Sequence, residues 1–281
     1  MQRWTAELVL DARADLGEGP LWDARSGELL WVDIMAGLLH RYDPATGNDI
    51  TLDVGQPVGC VVPRASGGWM LGLQAGFAAA DGRAELLAPL HSGRPDLRMN
   101  DGAVDSRGRF WAGTMQLDFE PGAGALYRLD PDGSLHTMLT EVTISNGIGW
   151  SPDDTLMYYV DTPTRRIDVF DWDAASGSIA NRRTLVELEP GAGDPDGLVV
   201  DAEGCIWVAL WDGAAVRRYG PDGALLGSVD VPAGRVTKAA FGGPELDELY
   251  ITTAIGPEPH SGGLFRARPG VRGLPANTYA G

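Results

Sequence analysis

NGIGWSPDDTLMYYVDT, residues 146–162, holds two short apolar stretches on either side of a polar S-P-D-D turn. The first opens on an amide and the second is rich in aromatic residues, a composition that suits strands better than a helix. The same form recurs along the chain. It is found as EGPLWDARSGELLWVDI from Glu18, VGCVVPRASGGWMLGL from Val58 and NDGAVDSRGRFWAGTM from Asn100. It returns as DGLVVDAEGCIWVALW from Asp196 and TKAAFGGPELDELYITTA from Thr237. The starts lie 40, 42, 46, 50 and 41 residues apart. Strand, turn and strand repeating at that period signal a β-propeller.

Further strands follow in each unit. GLLHRYDPATGNDITLDV, GALYRLDPDGSLHTML and AVRRYGPDGALLGSVDV each join two strands through a Pro- and Gly-containing turn. After Thr237 there is room for only about three strands (239–241, 248–254, 263–267). ELVLDA at residues 7–12 has strand character and precedes the first unit, so it can supply the missing strand and close the ring. The expected architecture is all-β: a six-bladed β-propeller spanning residues 1–281 as one domain, its N-terminal strand completing the last blade.

Composition agrees with a soluble globular chain: 281 residues, 44% apolar, with 39 Gly and 19 Pro to make turns. A net charge of −17 repels phosphate backbones and anionic lipid, so neither nucleic acid nor membrane is an expected partner. The N-terminus carries no signal-like apolar run and no stretch of 18 apolar residues occurs, pointing to a cytoplasmic protein. Cys60 and Cys205 sit far apart in apolar surroundings and read as two buried thiols, not a disulfide. A closed ring needs no second copy, so a monomer is expected.

In a propeller the innermost strands line one channel, and equivalent repeat positions become neighbours. Aligning the units on Asp23, Pro63, Asp105, Ser151, Asp201 and Gly242 and stepping back five residues gives Glu18, Val58, Asn100, Asn146, Asp196 and Thr237. Four of the six are carboxylates or carboxamides. Each alone is an ordinary turn residue, Glu18 least so. Together in a narrow channel they would repel unless a cation joined them, and such oxygens are hard ligands for a divalent ion. No Cys or His occupies the ring, which argues against a structural zinc site.

LGEGPLWD (16–23), RMNDGAVDSRGRFWAGTM (98–115), SNGIGW (145–150), PDGLVVD (195–201) and FGG (241–243) occur in order. With these motifs the chain resembles the SMP-30/gluconolactonase/regucalcin-like family from end to end, and looks most like its bacterial sugar lactonases. The resemblance implies one divalent cation held by Glu18, Asn146 and Asp196, with Asp196 also the catalytic proton acceptor. It implies substrate contacts from Arg98 and Asn100, and places Asp118 where some members carry a Glu that holds the sugar. Asn100 also stands within possible reach of the metal. The ligand types leave Ca²⁺, Mn²⁺, Mg²⁺, Zn²⁺ and Fe²⁺ open.

The expected function is hydrolysis of a small-molecule sugar lactone, an aldono-1,4- or 1,5-lactone. Two alternatives stand beside it: a non-catalytic calcium-binding regulatory propeller, and a propeller hydrolase of other esters or organophosphates. Other templates fail, for there is no G-x-S-x-G elbow, no H-E-x-x-H and no phosphate loop. His40, His91, His136 and His260 fall off the ring phase and read as structural or solvated. Arg98 is divided between a substrate contact and a partner for a surface carboxylate. Lys238, beside Thr237, is within reach of the channel but reads rather as a packing or surface residue, and Glu120–Gly124 as a lid or a plain turn.

Overall fold

A computed structural model describes residues 1–281 and contains β-strands throughout, with one 3-10 turn at Thr162–Thr164. The strands form six sheets. Their innermost strands are Gly17–Asp23, Val58–Pro63, Leu97–Val104, Ser145–Trp150, Asp194–Val200 and Val236–Gly242, one for each repeat read in the sequence. Every residue of Val58–Pro63 and Val236–Gly242 is buried, whereas the outermost strand Asn48–Asp53 alternates between half-buried and exposed. That gradient explains why apolar residues concentrate on the inner strands beyond the ring positions and polar ones on the outer strands.

The apolar core is divided among the seams between blades. Six hydrophobic clusters each join two consecutive blades, among them Val32 of blade 1 with Leu71 of blade 2, and Trp207 of blade 5 with Phe241 of blade 6. The sixth joins Trp31 of blade 1 to Tyr250 of blade 6 and closes the circle. The repeat tryptophans serve this packing: Trp31, Trp111 and Trp207 are fully buried.

The N-terminal closure is present. Glu7–Leu10 pairs antiparallel with Leu264–Ala267 and becomes the fourth strand of the last blade. One addition was not anticipated: Gln2–Thr5 pairs parallel with Leu225–Asp230, giving blade 5 a fifth strand. The same N-terminal segment thus covers two neighbouring sheet edges.

The C-terminal segment crosses the far end of the channel as a strap. Gly273 N donates to Leu246 O at 2.8 Å, Asn277 Nδ2 to Val104 O at 3.1 Å and Tyr279 N to Pro63 O at 2.9 Å, so it runs from blade 6 to blades 2 and 3. Beneath it, Leu274–Asn277 and the lower halves of the inner strands line a partly open cavity of about 560 Å³. Both cysteines are free and buried.

Candidate functional site

Each inner strand breaks its ladder at or beside the ring residue. Pairing with the second strand shifts between Glu18 and Leu21, Val58 and Cys60, and Met99 and Gly102. It shifts again between Ser145 and Ile148, Pro195 and Leu198, and Val236 and Lys238. A bulge bends the strand and re-aims a side chain, and here six of them act at one level of the channel. Glycine follows the ring residue in four blades, and Gly19 adopts φ +58°, a left-handed conformation that glycine reaches without strain.

Glu18, Asn100, Asn146 and Asp196 are all buried. The other two ring positions offer nothing to the channel. Val58 belongs to the core between blades 1 and 2, and Thr237 spends its hydroxyl on Gly17 O (2.6 Å) and Thr252 Oγ1 (2.9 Å), tying blade 6 to blade 1.

The amides form one chain of hydrogen bonds. A terminal nitrogen of Arg98 donates to Asn100 Oδ1 at 2.6 Å and to Met99 O at 3.0 Å. Asn100 Nδ2 donates to Ser145 O at 2.7 Å and to Asn146 Oδ1 at 3.1 Å. Asn146 Nδ2 donates to Thr162 Oγ1 at 2.8 Å, and that hydroxyl donates to Pro195 O at 2.8 Å. With its nitrogen held by Thr162, Asn146 keeps its oxygen turned towards Asn100.

The carboxylates lack such support. Glu18 accepts one hydrogen bond, from Gly19 N at 2.5 Å, and Asp196 is influenced only by burial and by charges nearby. Burial, then the negative charge of Asp101, pushes the Glu18 carboxyl up to about 8. Burial, then Glu18 and Asp101, holds Asp196 well above the usual carboxylate range. Burial also lowers Arg98 to about 10, against the pull of Glu18 and Asp196. Two buried carboxylates without a contacting cation, beside an oriented amide oxygen, make a donor set that fits a divalent ion.

Arg98 is buried, bonds no carboxylate and leaves its Nε without a partner, so it is not half of a surface ion pair. Asp118 is exposed in the turn after strand Phe110–Gln116 and joins none of these contacts. In residues 120–124, Glu120 and Pro121 are exposed, Gly122 and Ala123 are half-buried and Gly124 already begins the next strand, with Gly122 N donating to Thr143 Oγ1 at 3.1 Å.

Lys238 is neither a surface nor an ordinary packing residue: it is buried in the channel and paired with Asp101. Asp101 was missed in the sequence because it lies one residue off the ring phase. The signal was there in the layer after the ring, which reads Gly19, Gly59, Asp101, Gly147, Gly197 and Lys238. Of the four glycines, Gly197 is the one that clears space for the Lys238 side chain.

Asp201, Glu203 and Cys205 also bring ligand-type atoms within 4.8 Å of one another. Arg218 already answers their charge, bonding Asp201 Oδ2 at 2.7 Å and Glu203 Oε2 at 2.5 Å. That group is an ion-pair cluster of blade 5.

Residues 16–255 match the family model described as SMP-30/gluconolactonase/LRE-like region. The chain belongs to this family. Among its relatives, regucalcin of Danio rerio is 36% identical over 289 residues, covering 98% of each chain. A Bacillus subtilis (strain 168) protein with the provisional name sugar lactone lactonase YvrE is 36% identical over 288 residues, covering 98% of this chain and 99% of its own. The crystal structure of a calcium-binding protein, regucalcin, from Agrobacterium tumefaciens superposes with a TM-score of 0.94 at 30% identity, covering 99% of this chain and 98% of that one. The SMP-30/gluconolactonase family membership and the six-bladed architecture therefore agree with what the ordered motifs imply.

Proposed function

We propose that this protein hydrolyses sugar lactones, aldono-1,4- or 1,5-lactones, to aldonic acids, with one divalent cation held by Glu18, Asn146 and Asp196. The observation that carries the reading is that two buried carboxylates without a contacting cation share the channel with the hydrogen-bonded amides of Asn100 and Asn146. Membership of a family that includes gluconolactonases, and the lactonase name of the Bacillus relative, support it. The donor set suits Ca²⁺, Mn²⁺, Mg²⁺, Fe²⁺ or Zn²⁺.

Such a cation polarises a carbonyl and lowers the pKa of water in its shell. The chain supplies the rest. Asp196 takes the proton as the water oxygen bonds to the lactone carbonyl carbon. The ring C–O bond breaks and that proton passes to the leaving ring oxygen. Arg98 donates to substrate oxygens through its guanidinium, and the Asn100 amide orders Arg98 on one side and Asn146 on the other. Asp118, exposed on the face where the inner strands begin, contacts the sugar from the rim.

A second reading, a calcium-binding protein with a regulatory role, is favoured by the name of the Agrobacterium relative. A pH-stat assay over a panel of aldonolactones separates the two, using protein stripped with EDTA and then reloaded with single divalent metals. Metal-dependent turnover above the spontaneous rate is expected. Its absence, with metal bound, would leave the binding role.

A further inference from the structure

Lys238 is the only lysine of the chain; the other 21 of its 22 basic residues are arginines. It is buried at the channel axis, in the layer directly behind the ring. Its ammonium is paired with Asp101 Oδ1, which also accepts from Gly102 N at 2.6 Å. The second oxygen of Asp101 is buried without any partner. A Cβ on Gly197 would stand 2.4 Å from Lys238 Cγ, so the glycine of blade 5 is what lets the stem lie across the channel. A compact ammonium on a flexible stem fills this slot.

The pair also belongs electrostatically to the ring. Lys238 opposes the negative charge of Glu18 and of Asp196, and Asp101 adds to it. The channel thus holds three carboxylates, Glu18, Asp101 and Asp196, against two cations, Arg98 and Lys238. Its formal charge is −1 when all are ionised and becomes +1 with a divalent ion.

We propose that Lys238 is the charge-setting residue of this site: its fixed cation behind the ring loosens the hold of Glu18 and Asp196 on a divalent ion, while Asp101 positions that ammonium and offsets part of it. The proposal rests on the metal reading above and adds a role for two residues outside the ligand set. Lys238 is a positioning and charge-balancing group that touches no substrate. In a channel screened from water, one added or removed unit charge alters ion affinity by about tenfold or more.

Calorimetric titration of EDTA-stripped protein with Mn²⁺ tests this. Wild type is expected to take one equivalent, K238M to bind it at least about tenfold more tightly, and D101N about tenfold more weakly. The K238M/D101N double variant restores the formal charge and is expected to return to within about threefold of wild type. K238R, which keeps the charge, is expected to stay near wild type whenever it folds. If K238M does not fold, D101N and the double variant still decide the matter. Unchanged or weaker binding by folded K238M, or a double variant that fails to return, overturns the charge-setting role and leaves the metal reading standing. No Mn²⁺ uptake by wild type overturns both.

Discussion

Asn100 of blade 3 donates through Nδ2 to Asn146 Oδ1 of blade 4 at 3.1 Å, so two residues 46 positions apart in sequence share one hydrogen bond in the channel wall. The contact sets a division of labour between neighbours. Asn146 is fixed by Thr162 on the next strand connection, while Asn100 is fixed by Arg98 of its own strand. Replacing Asn146 with Ala is therefore expected to cut divalent-metal affinity at least about tenfold. Asn100→Ala, which releases Arg98, is expected to raise lactone KM more than it weakens metal binding. Metal titration and steady-state kinetics on the two variants check the contrast.

Asp196 is buried with no hydrogen bond to its carboxylate, an arrangement that costs folding free energy for the sake of the site. Asp196→Asn is expected to abolish lactone hydrolysis and yet stabilise the metal-free fold by about 1 kcal/mol, a rise in Tm of about 2–4 °C. A thermal melt in EDTA, with lactonase assay of the same sample, reads both effects.

The Glu18 carboxyl is pushed from its ordinary 4.5 up to about 8 by burial, then by Asp101. The folded, metal-free protein holds that proton more tightly than the unfolded chain. Its contribution is complete below about pH 4.5 and is lost as pH rises through about 8. Tm measured in EDTA is expected to fall across that window. With a divalent ion bound the carboxylate gains a partner, so the decline should disappear and proton release should accompany binding.

Asp201 is completely buried and accepts from Trp207 Nε1 at 2.9 Å, from Arg218 and from Cys205 N. Asp201→Ala leaves a buried guanidinium with only the exposed Glu203 and is expected to cost about 3 kcal/mol. Urea unfolding gives the loss, and lactone KM of the protein that remains folded should not move.

Removing residues 1–10 uncovers two edges at once, Leu225–Asp230 and Leu264–Ala267. The truncated chain is expected to melt lower and to self-associate through those strands. Light scattering alongside a thermal melt checks it.

The repeat was legible because every blade solves the same local problem. A Gly- or Asn-marked bulge, an apolar inner strand and a Trp- or Tyr-bearing second strand must recur wherever a blade is built, so Glu18, Asn100, Asn146 and Asp196 fall at one phase. Lys238 was misread for the opposite reason. Its partner Asp101 is 137 residues away, and before the ring closes only their shared repeat phase, one residue past the ring, links the two. Gln2–Thr5 has no repeat to belong to, and its place on blade 5 depends on an edge left open elsewhere.

Local rules of strand, turn and bulge thus determined, from residue order alone, how many blades there are and which oxygens point inward. Closure decided the rest: which charge meets which across the axis, that Asp196 stays without a counter-ion in contact, and that the last residues strap the far mouth. Such pairings depend on the distance and burial of groups remote in the chain, and both quantities come into existence only when the circle is complete.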